Sequence, residues 1–211
     1  APVAQHGRPV LSRLLVLTSR LPFPPREGHQ LRSWHLLRAL ASRHAVTLLS
    51  FRRDEDVVAD IEPMRDILAG LETFPIPAEH SRRVLAMALA RGVLTRQPFI
   101  AAKYTSPALR ERVRVLAAQS DLVHFDMLPL VSCADLVPRG TPVAYNAHNV
   151  EHLLLEKRVE IESRPAIRRF LQHQVPRLRD FERDAVRRSD LVLACSDADA
   201  LVLRADAAGT D

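Results

Sequence analysis

Residues 13–18, with the sequence RLLVLT, form a short apolar run of the kind that fills a buried β-strand. A proline-rich break follows at residues 21–25 (LPFPP). From residue 29 to residue 43, apolar side chains then recur every three or four positions, which predicts an amphipathic helix. A strand, a loop and a helix in this order form one parallel β-α unit, and the rest of the chain repeats that order.

Five further segments have strand character: residues 45–51, 71–76, 121–125, 142–146 and 190–194. Helical periodicity fills most of the intervals, at residues 81–94, 107–119, 151–188 and 197–207, and prolines 165 and 176 are expected to interrupt the long third helix. Six strands that each lead to a helix predict an α/β fold. The expected architecture is a doubly wound, mainly parallel Rossmann-like sheet with helices on both faces.

The composition is that of a soluble globular domain. Of the 211 residues, 47% are hydrophobic and 26% are charged, and no apolar run approaches the ~18 residues that a membrane span needs. This length suits a single domain, with residues 1–12 as a flexible lead-in. The only two cysteines, Cys133 and Cys195, are not arranged as C-x-x-C, so a reducing, cytoplasmic location is expected.

The net charge of +5 comes from an arginine-rich chain, in which only Lys103 and Lys157 are lysine. A GC-rich genome also produces such a skew, so the charge alone does not indicate a polyanion, and no nucleic-acid partner is predicted. Arginines concentrate in residues 163–188. Apolar side chains in this stretch form one helix face for the core, and the arginines lie mainly on the other face. A solvated helix face explains this run, and contact with anionic lipid is the alternative.

Ligands of open parallel sheets bind beyond the carboxyl ends of the strands, and this rule selects three segments. The first is residues 19–29 (SRLPFPPREGH), in which Glu27 and His29 flank Gly28 just before a helix. Backbone N–H groups at a helix start can bind an anion. The alternative is that Gly28 only permits a turn.

The second segment, residues 146–152 (NAHNVEH), directly follows a strand. His148 could act there as an acid or base, and Asn149 and Glu151 could position a hydroxyl or a phosphate. The alternative is that Asn149 caps the next helix. In the third segment, Ser196 follows the last strand and either contacts a ligand or caps the final helix.

His148 and His152 also match H-x-x-E-H, the pattern of the inverted zinc proteases. That chemistry needs both histidines one turn apart on an established helix and a third ligand. His148 lies only two residues past a predicted strand, and no motif marks a third ligand. No metal site is therefore predicted, and a zinc hydrolase is the third of three functional hypotheses.

Residues 81–94 (SRRVLAMALARGVL) combine Arg82 and Arg83 with a broad apolar surface that includes Leu85 and Leu89. Such a helix can lie in a bilayer interface. We therefore expect peripheral contact with anionic lipid at the inner face of the cell membrane. An ordinary core-facing helix is the alternative.

Two stretches in this order resemble the amino-terminal half of the GT-B glycosyltransferases of family 4, and within it the bacterial branch tied to exopolysaccharide assembly. In the first, a strand leads into PFPPREGH (22–29) and a helix with RSWHLLRAL (32–40). In the second, YNAHNVEH (145–152) leads into a long helix that ends FERDAVRRSDLVLACS (181–196). The resemblance covers residues 13 to about 203.

The resemblance implies two facing Rossmann-like domains and transfer with retention of anomeric configuration. The carboxyl-terminal domain would hold the donor, a nucleotide-diphosphate sugar, and the amino-terminal domain a glycan or lipid-linked acceptor. This chain would then be the single acceptor-side domain, without the donor domain, with no bound cofactor and inactive alone. By the same resemblance, Gly28 approaches the donor diphosphate and His148 lies near the transferred sugar.

The chain departs from the family pattern at two points. The family's paired glycines are reduced to Glu27-Gly28, and no two glutamates stand eight apart as in the donor-domain E-x7-E. Beside the transferase, a non-catalytic α/β binding module is the second functional hypothesis.

Overall fold

A computed structural model describes residues 12–53, 56, 61–77 and 81–209. All but the last residue of the predicted lead-in, residues 1–12, lies outside the described residues. The described residues form a six-stranded parallel sheet surrounded by helices, which confirms the predicted fold class.

The strands are β1 (Arg13–Thr18), β2 (Ala45–Arg52), β3 (Gly70–Pro75), β4 (Leu122–Asp126), β5 (Val143–Asn146) and β6 (Leu191–Leu193). The helices are α1 (Gly28–Ala41), α2 (Glu62–Arg65), α3 (Arg82–Leu94), α4 (Phe99–Lys103), α5 (Pro107–Ala117), α6 (Glu151–Ile161), α7 (Pro165–Arg187) and α8 (Asp197–Ala208). A 3-10 helical segment, Leu128–Leu136, follows β4.

The strand order is β3-β2-β1-β4-β5-β6, so the direction of winding reverses between β1 and β4. In open parallel sheets, the crevice at such a switch point is where ligands bind. The register pairs Thr18 with Asp126, and Asp126 with Asn146. The last residues of β1, β4 and β5 therefore stand side by side at the switch point.

Both faces of the sheet are buried, which explains why the first strand is an unbroken apolar run. Leu15 and Leu17 of β1 belong to the core on one face, and Leu14 and Val16 belong to the core on the other, under α1. Successive side chains of a strand point to opposite faces, so a strand covered on both sides needs apolar residues throughout.

The tetrapeptide Ser-Asp-Leu-Val occurs twice, at residues 120–123 and 189–192, where it leads into β4 and β6. In each copy, the aspartate accepts a hydrogen bond from the first backbone N–H of the neighbouring strand. Asp121 Oδ2 lies 2.7 Å from Arg13 N, and Asp190 Oδ2 lies 2.8 Å from Val143 N. These bonds fix the register at the amino edge, and with it which residues meet at the carboxyl edge.

Pro165 begins α7, as the predicted break requires, but the expected interruption at Pro176 is wrong. The helix runs without a break from Pro165 to Arg187. Pro176 lies on an exposed side of α7, where a carbonyl that loses its donor can turn to water. The five-residue helix α4 was not predicted, because a segment this short shows no helical period.

Candidate functional site at the carboxyl edge of the sheet

Polar side chains from four parts of the fold converge at the carboxyl edge, beside the switch point. We call them the edge cluster: His29, Arg32 and Ser33 of α1, Asp126 at the end of β4, Asn146 at the end of β5, and His148 two residues further on.

Asp126 is the centre of the edge cluster and is buried. Its Oδ1 accepts a hydrogen bond from Asn146 Nδ2 at 2.6 Å and lies 2.7 Å from His148 Nε2, while its Oδ2 accepts from the Ser33 hydroxyl. Burial alone would raise the pKa of Asp126. The hydrogen bonds from His148 and Ser33 outweigh burial and lower that pKa below its ordinary value. Asp126 is therefore an ionised acceptor at neutral pH.

His148 is held by this carboxylate and is itself buried. Because Asp126 carries no proton, the proton between the two groups belongs to His148 Nε2. Asn146 Nδ2 lies 3.3 Å from Nε2, since both nitrogens donate to the same oxygen. The Asp126 bond uses Nε2 alone, so in the neutral ring Nδ1 is the nitrogen that can accept from a ligand hydroxyl. A ring fixed in one tautomer by a carboxylate suits acid-base chemistry or polar contact.

His29 stands next to His148, with the two rings edge to face and their centroids 6.1 Å apart. Burial lowers the pKa of His29, although Glu27, whose Oε2 lies 3.4 Å from His29 Nδ1, acts in the opposite direction. Nε2 of His29 is buried and has no hydrogen-bond partner among the described residues. The edge cluster thus holds a second imidazole with an unused nitrogen.

Arg32 joins the three segments that the sequence singles out. From α1 it donates through Nη2 to Asn146 Oδ1 at 2.8 Å and to the carbonyl of Ala194 at 3.3 Å, and through Nη1 to Cys195 Sγ at 2.5 Å. The start of α1, the residues after β5 and the residues after β6 therefore meet at one edge, as the sheet topology predicts.

Gly28 is the first residue of α1, and a Cβ atom placed on it would meet only open space. The preceding residue, Glu27, is the N-cap, and Gln30 Oε1 accepts from Glu27 N at 3.1 Å. The Glu27 carboxylate accepts from the N–H of Gln30 and pairs with Arg20 at 3.1 Å. The backbone at Gly28 is open to close approach by a ligand. The anion nearest to this helix start is the Glu27 carboxylate of the chain itself.

The structure contradicts the alternative that Asn149 caps the helix after His148. Asn149 is exposed and does not cap α6, because the N-cap is Val150. Instead, Glu182 of α7 accepts from the backbone N–H groups of Glu151 at 2.8 Å and His152 at 3.4 Å. Asn149 contacts Glu151, whose pKa is raised by burial and by the nearby Glu182 carboxylate.

Ser196 caps α8, as its capping alternative predicts. Its hydroxyl oxygen accepts from Asp199 N at 3.1 Å and donates to Asp199 Oδ2 at 2.8 Å. Ser196 is exposed beside Cys195, so ligand contact through the hydroxyl stays a prediction.

His152 belongs to a different group of side chains from His148. Its Nδ1 lies 2.6 Å from Glu182 Oε2, and its Nε2 lies 3.3 Å from Asp206 Oδ2. The two histidines of H-x-x-E-H thus bind carboxylates in separate places, Asp126 for one and Glu182 for the other. Across the part of the chain that the structure describes, no three His, Cys, Asp or Glu side chains are grouped to hold a metal ion. This geometry gives the zinc-hydrolase hypothesis no support.

Four members of the edge cluster were not predicted as site residues: Arg32, Ser33, Asp126 and Asn146, the last of which only begins the predicted segment 146–152. One signal was available for Asp126: it is a charged residue at the end of a buried strand beside the switch point. Arg32 and Ser33 lie within a helical period and give no such signal.

The backbone next to Asp126 is strained. Met127 has φ +97°, a conformation that side chains other than glycine rarely adopt. The Ser19 hydroxyl lies 2.7 Å from Met127 Sδ, which links the loop after β1 to the turn after β4. Strained residues cluster at functional sites, and this one lies at the switch point.

Helix α3 exposes most of its apolar side chains. Leu85 and Leu89 are 37% and 38% exposed, and Ala88 and Gly92 are the buried residues of the helix. Gly92 permits the contact with α4, since a Cβ on it would lie 3.1 Å from Phe99 Cβ. Leu85 and Leu89 are therefore partly exposed, while Ala88 and Gly92 pack against the rest of the chain, so both the membrane contact and the core-facing alternative stay open. Arg82 and Arg83, at the start of α3, are exposed too.

None of the helices in the described ranges combines the length and the apolar character needed to cross a bilayer.

Comparisons with known proteins give a structural likeness but no family. No family model matches the chain, and no curated protein matches it. Among solved structures, the chain is similar to the crystal structure of Anabaena Alr3699/HepE in complex with UDP-glucose, with 16% identity and a TM-score of 0.48. The match covers 94% of this chain and 41% of that one. A TM-score below 0.5 does not establish a shared fold, so the fold given above rests on this chain's own strand order and register.

Proposed function

We propose that this chain is the acceptor-side domain of a retaining glycosyltransferase, which moves a sugar from a nucleotide-diphosphate donor to a polysaccharide or lipid-linked acceptor. The observation that carries the proposal is the pair of His148 and Asp126, fixed at the switch point of the sheet and next to the start of α1. The motif order of the GT-B family 4 resemblance supports it, and by that resemblance His148 is the cleft histidine.

The proposed roles follow from the contacts. Asp126 holds His148 Nε2, so that Nδ1 forms a polar contact with the sugar being transferred. His29 offers a second nitrogen next to it, and the exposed backbone at Gly28 admits a donor phosphate. A preorganised polar group contributes most where charge develops in the transition state, so these contacts act on turnover more than on binding.

The acceptor would lie along the rim of the same edge, where the exposed Asn149 and Ser196 and the half-buried Glu151 stand. Transfer requires donor and acceptor to be held in one geometry. We therefore propose that a second, donor-binding domain faces this edge in the active enzyme, and that the enzyme acts in the cytoplasm. A binding module without activity would need no imidazole fixed in one tautomer.

The test separates donor binding from transfer. Calorimetry of this chain with UDP-, GDP- and TDP-sugars should show binding no tighter than roughly millimolar. Micromolar binding would mean that the donor site is misplaced. A longer protein that joins this chain to its proposed donor domain should release product with the donor's anomeric configuration, read by NMR. Inverted product would contradict the retaining mechanism.

We also propose that α3 contacts the membrane surface through Leu85 and Leu89, with Arg82 and Arg83 facing anionic headgroups. Liposome flotation at low salt, with and without anionic lipid, tests this contact. The chain should float with anionic vesicles, and the variant Leu85→Gln/Leu89→Gln should float several-fold less. A chain that stays at the bottom of the gradient with anionic vesicles would remove the membrane proposal.

A further inference from the structure

A small polar pocket, with a volume of about 170 Å³, opens on the carboxyl side of the sheet. It is lined by the end of α3, the residues that follow α4, the start of α5 and the 3-10 helical segment after β4. The ring of Tyr104 in its wall lies 5.3 Å, centroid to centroid, from the ring of Phe51 near the end of β2. The pocket therefore lies on the same side of the sheet as the edge cluster, but the two share no residue.

Arg110 of α5 is held in place in the wall of this pocket. Its Nη1 donates to the carbonyl of Ser132 at 3.0 Å, and its Nη2 donates to Asp135 Oδ2 at 2.7 Å. These bonds use two of the five N–H groups that a guanidinium carries. A guanidinium fixed in this way has N–H groups left for a second acceptor and loses little side-chain freedom when it binds one.

Arg91 of α3 supplies a second guanidinium, and its charge is not compensated. Among the described residues, the Arg91 side chain has neither a carboxylate nor a hydrogen-bond partner. No described aspartate or glutamate lines the pocket, and Asp135, which pairs with Arg110, stands outside the lining. Burial raises the pKa of the Cys133 thiol in the wall, so this sulfur adds no negative charge at neutral pH. The pocket therefore carries one positive charge in excess.

The uncharged polar groups of the lining add unused hydrogen-bond donors. The hydroxyls of Thr105 and Ser132 donate to backbone carbonyls at 3.1 Å and 2.7 Å, so both are engaged within the chain. The side-chain amide of Gln97 and the hydroxyl of Tyr104 also line the pocket, and neither has a hydrogen-bond partner among the described residues. Together with the two guanidinium groups, they leave more free donors than acceptors, which favours a ligand rich in acceptor oxygens.

The size of the pocket limits such a ligand to one small anionic group. At roughly 30 Å³ per water molecule, the pocket holds about five or six water-sized atoms. A tetrahedral oxoanion has five heavy atoms, and arginine N–H groups form paired hydrogen bonds with its oxygens. A nucleotide diphosphate is several times larger, so this pocket is separate from the proposed donor site.

We propose that this pocket binds a single phosphate or sulfate group between Arg91 and Arg110, either as the free ion or as one end of a larger ligand. Gln97 and Tyr104 supply the remaining hydrogen bonds. The site does not depend on the proposed transferase function, because binding needs neither a sugar donor nor a second domain.

Calorimetry of the chain at low salt, with inorganic phosphate, sulfate and acetate, tests the proposal. Phosphate and sulfate should each bind with a Kd of roughly 0.1–1 mM. Acetate, which has two oxygens and a single charge, should bind at least about tenfold more weakly. Equal affinity for acetate would overturn the proposal, and so would the absence of binding of both tetrahedral anions at about 10 mM.

Two exposed arginines form a matched pair of variants. Arg91→Gln should weaken phosphate binding about tenfold, because it removes the uncompensated charge of the pocket. Arg43→Gln should change binding less than about twofold, since Arg43 lies between α1 and β2 at the opposite, amino edge of the sheet. Both variants lower the net charge by one, so equal losses would show that phosphate responds only to the charge of the whole chain and would overturn the proposal.

The same two arginines provide a footprint that needs no variant. Phosphate should slow the modification of Arg91 by phenylglyoxal at least about threefold, read by mass spectrometry after digestion, because a bound anion covers the guanidinium. Arg43 in the same sample should react at an unchanged rate. An unchanged rate at Arg91, or an equal slowing of both arginines, would overturn the proposal.

Glucose 6-phosphate distinguishes the two sources of the anionic group. Binding several-fold tighter than that of inorganic phosphate would support a site for phosphate carried on a larger ligand, and weaker binding would support a site for the free ion. In either case the affinity should fall in Arg91→Gln. The transferase proposal fails separately: phosphate binding without sugar transfer would leave this pocket standing, and transfer without phosphate binding would remove only the pocket.

Discussion

Two histidine–carboxylate pairs have different surroundings, although their histidines, His148 and His152, lie only four residues apart in sequence. His148 pairs with Asp126 at 2.7 Å at the carboxyl edge of the sheet. His152 pairs with Glu182 at 2.6 Å, enclosed between α6, α7 and α8. All four side chains are at most 4% exposed, so burial does not tell the pairs apart.

The two pairs differ in the other hydrogen bonds that each carboxylate accepts. Glu182 also accepts from the first two backbone N–H groups of α6, so it caps one helix from another. Asp126 accepts instead from two side chains, Asn146 and Ser33, and its histidine faces the ring of His29. The enclosed pair holds helices together, and the edge pair holds an imidazole in one orientation.

The comparison predicts its largest effect at Glu182. Glu182→Ala leaves the His152 ring and two helix N–H groups without an acceptor, so the free energy of unfolding should fall by about 3–5 kcal/mol. Urea unfolding followed by circular dichroism measures it. Glu156→Ala, which removes a half-exposed partner of Arg179, should cost less than about 1 kcal/mol. Equal losses in the two variants would show that the enclosed pair does not hold the helices.

The second prediction concerns Asp126 and turnover. Asp126→Asn keeps the shape of the side chain but removes the charge that fixes the proton on His148 Nε2. In the active enzyme, kcat should fall about ten- to a hundredfold with KM little changed, and the pH profile of kcat should shift. The variant should lose less stability than Glu182→Ala. Steady-state kinetics at several pH values test this, and unchanged turnover would mean that the edge pair is structural too.

The strands were predictable because sheet burial leaves a signal in each segment alone. β1 lies at the predicted residues, and the other strands lie within two residues of theirs, since an apolar run covered on both faces has little freedom in where it ends. His148, Gly28 and His29 were selected from the sequence by the rule that ligands bind at the carboxyl edge.

The pairing of side chains was not predictable, because it depends on register and on helix packing. Asp126 meets Asn146 and His148 only because β4 and β5 are neighbours in that register. Glu182 reaches the start of α6 across 31 positions of sequence, which no local pattern reports. The capping alternative for Asn149 is wrong for the same reason: the acceptor for these N–H groups comes from another helix.

The smallest predicted effect is on acid stability, and it concerns His124, two residues before Asp126 on the same strand. Burial lowers the pKa of His124, while Asp126 acts in the opposite direction and His148 and Arg32 reinforce the lowering. The folded chain therefore keeps this ring neutral, whereas the unfolded chain binds a proton below the ordinary value of 6.5. Stability should be unaffected above that pH and should fall below it, by at most about 1.4 kcal/mol per pH unit.

His124→Leu should make this fall shallower between pH 6.5 and 5, because it removes a ring whose pKa burial lowers, while His29, whose pKa burial also lowers, keeps part of the fall. The substitution breaks no hydrogen bond of Nε2, which has no partner among the described residues. Urea midpoints across that range measure the slope. His35→Leu, at an exposed position of α1, is the control and should leave the slope unchanged. The contribution of Asp126 to stability is lost at lower pH than that of His124. Because the pKa of Asp126 is lowered in the folded chain, this contribution stays intact until the pH falls below about 3.8. A steep acid slope that survives in His124→Leu would place the sensitivity elsewhere.

The most direct measurement compares the two histidines in the active enzyme, by steady-state kinetics on His148→Ala and His152→Ala after circular dichroism confirms that each variant is folded. His148→Ala should lower kcat by about ten- to a thousandfold with KM little changed, because the lost contact acts mainly in the transition state. His152→Ala should unfold at lower urea while its folded fraction turns over at nearly the normal rate. A fully active His148→Ala enzyme would contradict the assignment of the edge cluster as the site of sugar transfer.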